Sequence, residues 1–155
     1  MLFRHIMICT ILAASLSAAN VGQASEITIE NAWVRSAPPT ATILAGYMTL
    51  HNHSSKTVIL TSATSPAFES AELHRTTMHD GMMHMESVKR LIIKSNGTVK
   101  LEPNSYHLML NKPKQKVTTG DTIPFTLSFD GKIVQVTATV KQDDGEESAP
   151  AHHQH

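Results

Sequence analysis

The chain has 155 residues, with 13 Lys and Arg against 13 Asp and Glu and a formal net charge of zero when His is neutral. Balanced charge supplies no field for phosphate backbones or anionic headgroups, which excludes nucleic-acid binders and basic membrane-surface proteins. Ten His and eight Met stand beside one Cys, one Trp, two Tyr and four Phe, an inventory weighted toward soft metal ligands.

Residues 1–24 read as a cleavable signal peptide. Arg4 precedes an apolar run from Ile6 to Ala18, and Gly22-Gln23-Ala24 places small residues before a cleavage point after Ala24. Ser15, Ser17 and Asn20 interrupt the apolar run before it reaches the ~20 residues of a membrane span, so export to the periplasm as a soluble chain is expected rather than an anchor. Cys9 falls inside this segment, and Ile8 before it is not the small residue a lipoprotein cleavage site requires. Residues 25–155 contain no Cys. Disulfides and thiol redox chemistry are thereby excluded, and the domain must rest on an ordinary hydrophobic core.

From Ile27 to Val140, short β-rich runs alternate with turn residues and no long 3.6-residue period competes with them. The predicted strands are Ile27 to Val34, Ala45 to His51, Thr57 to Ser62, Ala71 to Met78, Met82 to Lys89, Arg90 to Lys94, Val99 to Leu101, Ser105 to Leu110, Ile123 to Phe129 and Ile133 to Val140. Asp80-Gly81, Asn96-Gly97 and Asp130-Gly131 tolerate the positive φ of tight hairpins, which predicts antiparallel pairing. Pro38-Pro39, Pro103 and Pro113 mark loops or strand ends. The expected architecture over residues 25–141 is an all-β antiparallel sandwich or Greek-key barrel. Residues 142–155 read as a solvated acidic tail ending in Ala151-His152-His153-Gln154-His155, interrupted unlike a purification tag.

Sulfur and imidazole concentrate in the stretch from Glu72 to Met85 and again from Tyr106 to Leu110. Thioether and imidazole together suit Cu(I), a soft ion that does not require thiolate. On a strand, His107 and Met109 face one way while Leu108 and Leu110 face the other, toward the core. A two-residue Asp80-Gly81 loop pairs His79 with Met82, sets Thr76 opposite Met85, and leaves His74 diagonal to Met85 at roughly 7 to 8 Å. The same parity puts Met78 and Met83 on the His74 face, turns Met82 and His84 away, and leaves His79 near the turn. These extra residues are spare ligands or, more simply, gap-filling Met and polar turn His. His74, Met85, His107 and Met109 form the candidate soft-metal site.

The spacing of those four, ten residues between His74 and Met85, twenty-one between Met85 and His107, and one between His107 and Met109, resembles that of the periplasmic Cu(I) chaperones of the PCuAC type. Ala32-Trp33-Val34-Arg35 with Pro38-Pro39, Ala45-Gly46-Tyr47-Met48, Gly81-Met82-Met83-His84-Met85 and His107-Leu108-Met109-Leu110 carry the likeness across Glu26 to about Lys141. The resemblance implies a cupredoxin-like Greek-key barrel binding one Cu(I) through His74, Met85, His107 and Met109. It implies delivery to the copper centre of a respiratory cytochrome oxidase, beside a second, thiol-containing copper chaperone, and a periplasmic address. His152, His153 and His155 resemble the carboxy-terminal extension with which some members bind Cu(II). Arg75 after the first ligand and Asn104-Ser105 before the second pair depart from the family pattern, and bear on site charge and turn shape.

Competing readings are narrower. A blue-copper electron carrier needs a Cys thiolate, and an oxygenase using an amino-terminal His needs a His at the mature terminus, where Ser25 stands. No nucleophile elbow or HExxH pattern supports a hydrolase, so no enzyme activity is expected. A copper-sequestering tolerance protein would use the same ligands. The oligomeric expectation is a monomer.

Overall fold

The computed structural model describes residues 26–143. The expected signal peptide and the His-containing end, with His152, His153 and His155, lie outside the described residues. Ten strands occupy the predicted places: β1 (Ile27–Arg35), β2 (Ile43–Asn52), β3 (Val58–Thr64), β4 (Phe68–His79), β5 (Met82–Ser87), β6 (Leu91–Ile93), β7 (Thr98–Leu101), β8 (Tyr106–Pro113), β9 (Thr122–Phe129) and β10 (Lys132–Lys141). Among the described residues no helix is long and apolar enough to cross a membrane.

The strands lie in the order β5-β4-β8-β7-β2-β1-β10-β9-β3-β6, and a further pairing of Ala63 with Ala71 joins β3 to β4 and closes a barrel. Pairing is antiparallel except between β1 and β10 and at the single Leu101–Tyr106 match of β7 with β8. The parallel β1–β10 pair sets the first strand beside the last, Trp33 opposite Thr139 and Arg35 opposite Lys141.

Turn chemistry explains most local choices. Asp80 and Gly81 have φ of 50° and 76°, and Asp130 and Gly131 have 48° and 86°, so both pairs turn in the left-handed region that matches strand twist. Asn96-Gly97 behaves otherwise. Only Asn96 takes positive φ, at 52°, and the strands it links do not pair with each other: β6 runs beside β3 and β7 beside β2. It is a crossover turn rather than the expected hairpin, because the partners of two short strands are chosen by distant segments. In β1 a register shift between Glu30 and Trp33, with Asn31 at φ 51°, moves the inward position from Ile27 to Val34.

The core fills the barrel with Val34, Leu50, Phe68, Leu108, Leu110, Phe125, Leu127, Phe129 and Val140, all essentially inaccessible. Each such side chain contributes on the order of 1.5–3 kcal/mol through burial. Asn52, His74 and His107 are the buried polar residues among those described, and Asn52 is fully satisfied. Its Nδ2 donates to the carbonyls of Lys56, Ile93 and Lys94 at 2.7, 3.2 and 2.9 Å, while Oδ1 accepts from the Ser54 amide and hydroxyl.

Candidate metal centre

β4 is shared between the barrel and a projecting hairpin. Along one edge it pairs with β8 from Phe68 to Arg75, and along the other it pairs with β5 from His74 to His79. The Asp80-Gly81 loop sets His79 opposite Met82, Thr76 opposite Met85 and His74 opposite Ser87, as its length predicts. His74 therefore lies diagonal to Met85 on one face of the ribbon.

Across the other edge, His74 stands opposite His107 and Glu72 opposite Met109. The two imidazole centres are 6.1 Å apart with planes inclined by 37°. Period-two alternation sends Leu108 and Leu110 into the core and leaves His107 and Met109 on the outer side, where Ala45 of β2 pairs with Met109. The four residues singled out by spacing thus gather on the outer face of β5, β4 and β8.

Each imidazole has one nitrogen engaged by an oxygen acceptor. His74 Nε2 lies 3.2 Å from Glu72 Oε2, and a carboxylate there requires Nε2 to carry the proton. His74 Nδ1 is buried and without a hydrogen-bond partner. His107 Nδ1 donates to the Ser105 carbonyl at 3.1 Å, leaving Nε2 as the lone-pair nitrogen. Both rings are nearly covered, at 9% and 7% exposure. A buried nitrogen with no donor facing it suits a cation, and acceptors on the remote nitrogens fix the tautomers that would present those lone pairs.

The turn before β8 holds this arrangement in place. Asn104 has φ 62°, a conformation that Asn reaches more readily than most residues. The Ser105 carbonyl accepts from the Thr76 amide at 3.1 Å as well as from His107, tying the turn to β4. Arg75 occupies the opposite face of β4, its guanidinium 5.4 Å from the Tyr106 ring centre.

Met85, His107 and Met109 line a pocket of about 330 Å³ with Arg35, Ile43 and Ala45. A neighbouring pocket of about 560 Å³ is bounded by Tyr47, Met83, Met85, His107 and Asp143. His74 lines neither. Spacing gave no signal for the layer beside these pockets. There Trp33 and Tyr47 rings are 4.6 Å apart, Arg35 lies 5.4 Å from the Tyr47 ring centre, and Lys141 lies 4.9 Å from that of Trp33. Arg35 also donates to Asp143, a residue of the segment expected to be a solvated tail. Burial holds the Tyr47 phenol above its ordinary value, with Arg35 opposing the shift and Asp143 adding to it.

The extra methionines do not fill gaps in the core. Met78, Met82, Met83 and Met85 are between 57 and 64% exposed, and every residue of β5 is exposed. Among the described residues there is no group of three or more His, Cys, Asp and Glu able to hold a metal, so any site here depends on thioether ligands.

The family model described as LpqE-like matches residues 27–140, the span of all ten strands save the last residue. A relative named "Putative lipoprotein Lxx21020" from Leifsonia xyli subsp. xyli is 34% identical over 125 residues, covering 79% of this chain and 74% of its own. The uncharacterised protein RP573 of Rickettsia prowazekii is 34% identical over 96 residues, of which the chain spans 53% of that protein's length. Among solved structures, the Cu(I) form of DR1885 from Deinococcus radiodurans superposes with a TM-score of 0.65 at 36% identity, over 79% of this chain and 83% of that one. The copper-bound PCuAC domain of PmoF2 superposes at 0.64 with 21% identity over 76% and 93%, a likeness of fold. With the family pattern running through the whole barrel and relatives of this similarity along it, the chain belongs to the LpqE-like family, a cupredoxin-like domain of the PCuAC type.

Proposed function

We propose that the protein is a periplasmic copper chaperone whose cargo is one Cu(I) ion held by His74, Met85, His107 and Met109. The observation that carries this reading is the His74–His107 register pair, each ring keeping one nitrogen free of hydrogen bonds while its other nitrogen meets an oxygen. Two imidazoles and two thioethers form a neutral, soft donor set that suits Cu(I) and disfavours hard divalent ions. The Cu(I) form of the Deinococcus relative supports the choice of ion. The ligands perform no bond chemistry on the cargo. Thioethers are weak donors, so the ion leaves by stepwise exchange onto an acceptor's ligands at the exposed Met85 side, and no catalytic role is assigned.

The same reading extends to cleavage after Ala24, to residues 25–141 as the folded, monomeric unit, and to a binuclear centre of a respiratory oxidase or a thiol-containing chaperone as acceptor. It assigns His152, His153 and His155 to Cu(II), an ion that imidazole ligands suit.

Titration with Cu(I) against a competing chelator tests the core site: unchanged affinity in the Met85→Ala, Met109→Ala double variant would overturn it. Deleting residues 151–155 should remove one Cu(II) equivalent, and persistence of that equivalent would refute the tail assignment. A strain lacking the protein should lose cytochrome oxidase activity at low copper. Loss of growth at high copper with intact oxidase would mark a sequestering protein instead.

A further inference from the structure

The β4–β5 hairpin carries ligand-type residues on both of its faces, and only one face is used above. On the face opposite the four-residue set His79 pairs directly with Met82, and His84, paired with Thr77, is the diagonal neighbour of His79. The His79 and His84 ring centres are 5.9 Å apart at 61°. Two imidazoles that share an ion through nitrogens at ~2.0–2.1 Å have ring centres about 5 to 6 Å apart, the larger value as the angle at the ion opens. The separation matches that of His74 and His107, at 6.1 Å.

The third member is Met82, on the same face and 62% exposed. A thioether that far in water is not a packing element, and exposing it gains nothing for the fold. Arg75 lies on this face two residues before Thr77, but its guanidinium is drawn over Tyr106, and its register partner Glu86 places a carboxylate two residues beyond His84. No cation in these contacts faces the two rings.

We propose that His79, Met82 and His84 form a second, exposed site for a soft monovalent ion, Cu(I) or its analogue Ag(I), on the face of the hairpin opposite the first. It takes the choice of ion from the reading of the four-residue site and rests otherwise on its own residues. The site is three-coordinate and open to solvent, so it binds more weakly than the four-residue set, and its ion is the first to exchange with a chelator.

Ag(I) titration of the full chain under exclusion of oxidants, followed by methionine methyl and histidine ring resonances, tests this. The Met85 and Met109 methyls should shift during the first equivalent, and the Met82 methyl with the His79 and His84 rings during a later one. The His79→Ala, His84→Ala variant, altered only at exposed positions, should bind one equivalent fewer while Met85 and Met109 still respond. Met82→Leu should weaken the later step and leave the first unchanged. Equal stoichiometry in the wild type and the double His variant, or a Met82 methyl that stays in place at saturation, would overturn the second site and leave the first standing. Met85 and Met109 methyls that never shift while Met82 does would overturn the four-residue site instead.

Discussion

The Glu72 carboxylate lies 3.2 Å from Nε2 of His74, two residues along the same face of β4. The same Glu72 accepts from the Asn111 amide at 3.2 Å and from the Ser70 hydroxyl at 3.3 Å, so it is held as well as holding. Its role toward the site is to fix which nitrogen of His74 carries the proton. Glu72→Gln, which can still accept but is no longer anionic, should weaken Cu(I) binding by about 10-fold, the low end for a residue behind a metal ligand, because Glu72 is half exposed. Chelator competition measures this, and an affinity equal to wild type would show that the carboxylate does not orient the ring.

Leu108 separates His107 from Met109 and is wholly inaccessible. Leu108→Ala should cost about 2–5 kcal/mol in urea-induced unfolding, through lost transfer energy and the cavity left behind. A loss below about 0.5 kcal/mol would mean that β8 is not anchored as its burial indicates.

Gly81 turns the hairpin at φ 76° with open space around its α-carbon. Gly81→Val leaves that space free of clashes yet opposes the backbone angle, at a cost of roughly 1–2 kcal/mol. The loss should appear as faster amide hydrogen exchange in β5 with little change in the protection of β9 and β10. Uniformly faster exchange in all three strands would contradict the separateness of the hairpin.

Burial raises the Tyr47 phenol above its ordinary value of 10.0. The folded state favours the neutral ring, so this contribution to stability is complete below pH ~10 and is lost as pH rises through the shifted value. Tyr47→Phe should flatten the alkaline limb of the stability profile above pH ~10 and leave the neutral region parallel to wild type. An unchanged alkaline limb would assign it to other groups.

Dilute peroxide should convert Met78, Met82, Met83 and Met85 to sulfoxides well before Met48, which is 2% exposed. Peptide mass spectrometry resolves the order. Prior loading with Ag(I) should protect Met85 more than Met78, since only Met85 belongs to the four-residue set.

The strands were legible because alternation and turn residues agree. β9 and β10 carry period-two burial on either side of Asp130-Gly131, and both central residues take the positive φ that Asp and Gly allow. The four candidate ligands were legible for the same reason, since a two-residue loop fixes the register of His74 against Met85. The pairing of His74 with His107 required the barrel, because thirty-two intervening residues leave no local constraint on which strand meets β4. Asn96-Gly97 misled because an Asn-Gly pair reports only that the chain turns, and the strands it joins find partners elsewhere. Arg35 gave no signal as part of a layer beside the site because the β1 bulge at Asn31 changes which residues of that strand face outward.

β8 and β5 differ mechanically. His107 and Met109 are interleaved with Leu108 and Leu110, both at 0% exposure, so they move only with the barrel wall. Met85 rides on a strand with no buried residue, hydrogen-bonded along one edge to β4 alone. Three of the four residues therefore stand on the barrel wall and one, Met85, on a spring: on the proposed reading the barrel would determine where an ion rests, and bending of the hairpin when it can be taken away.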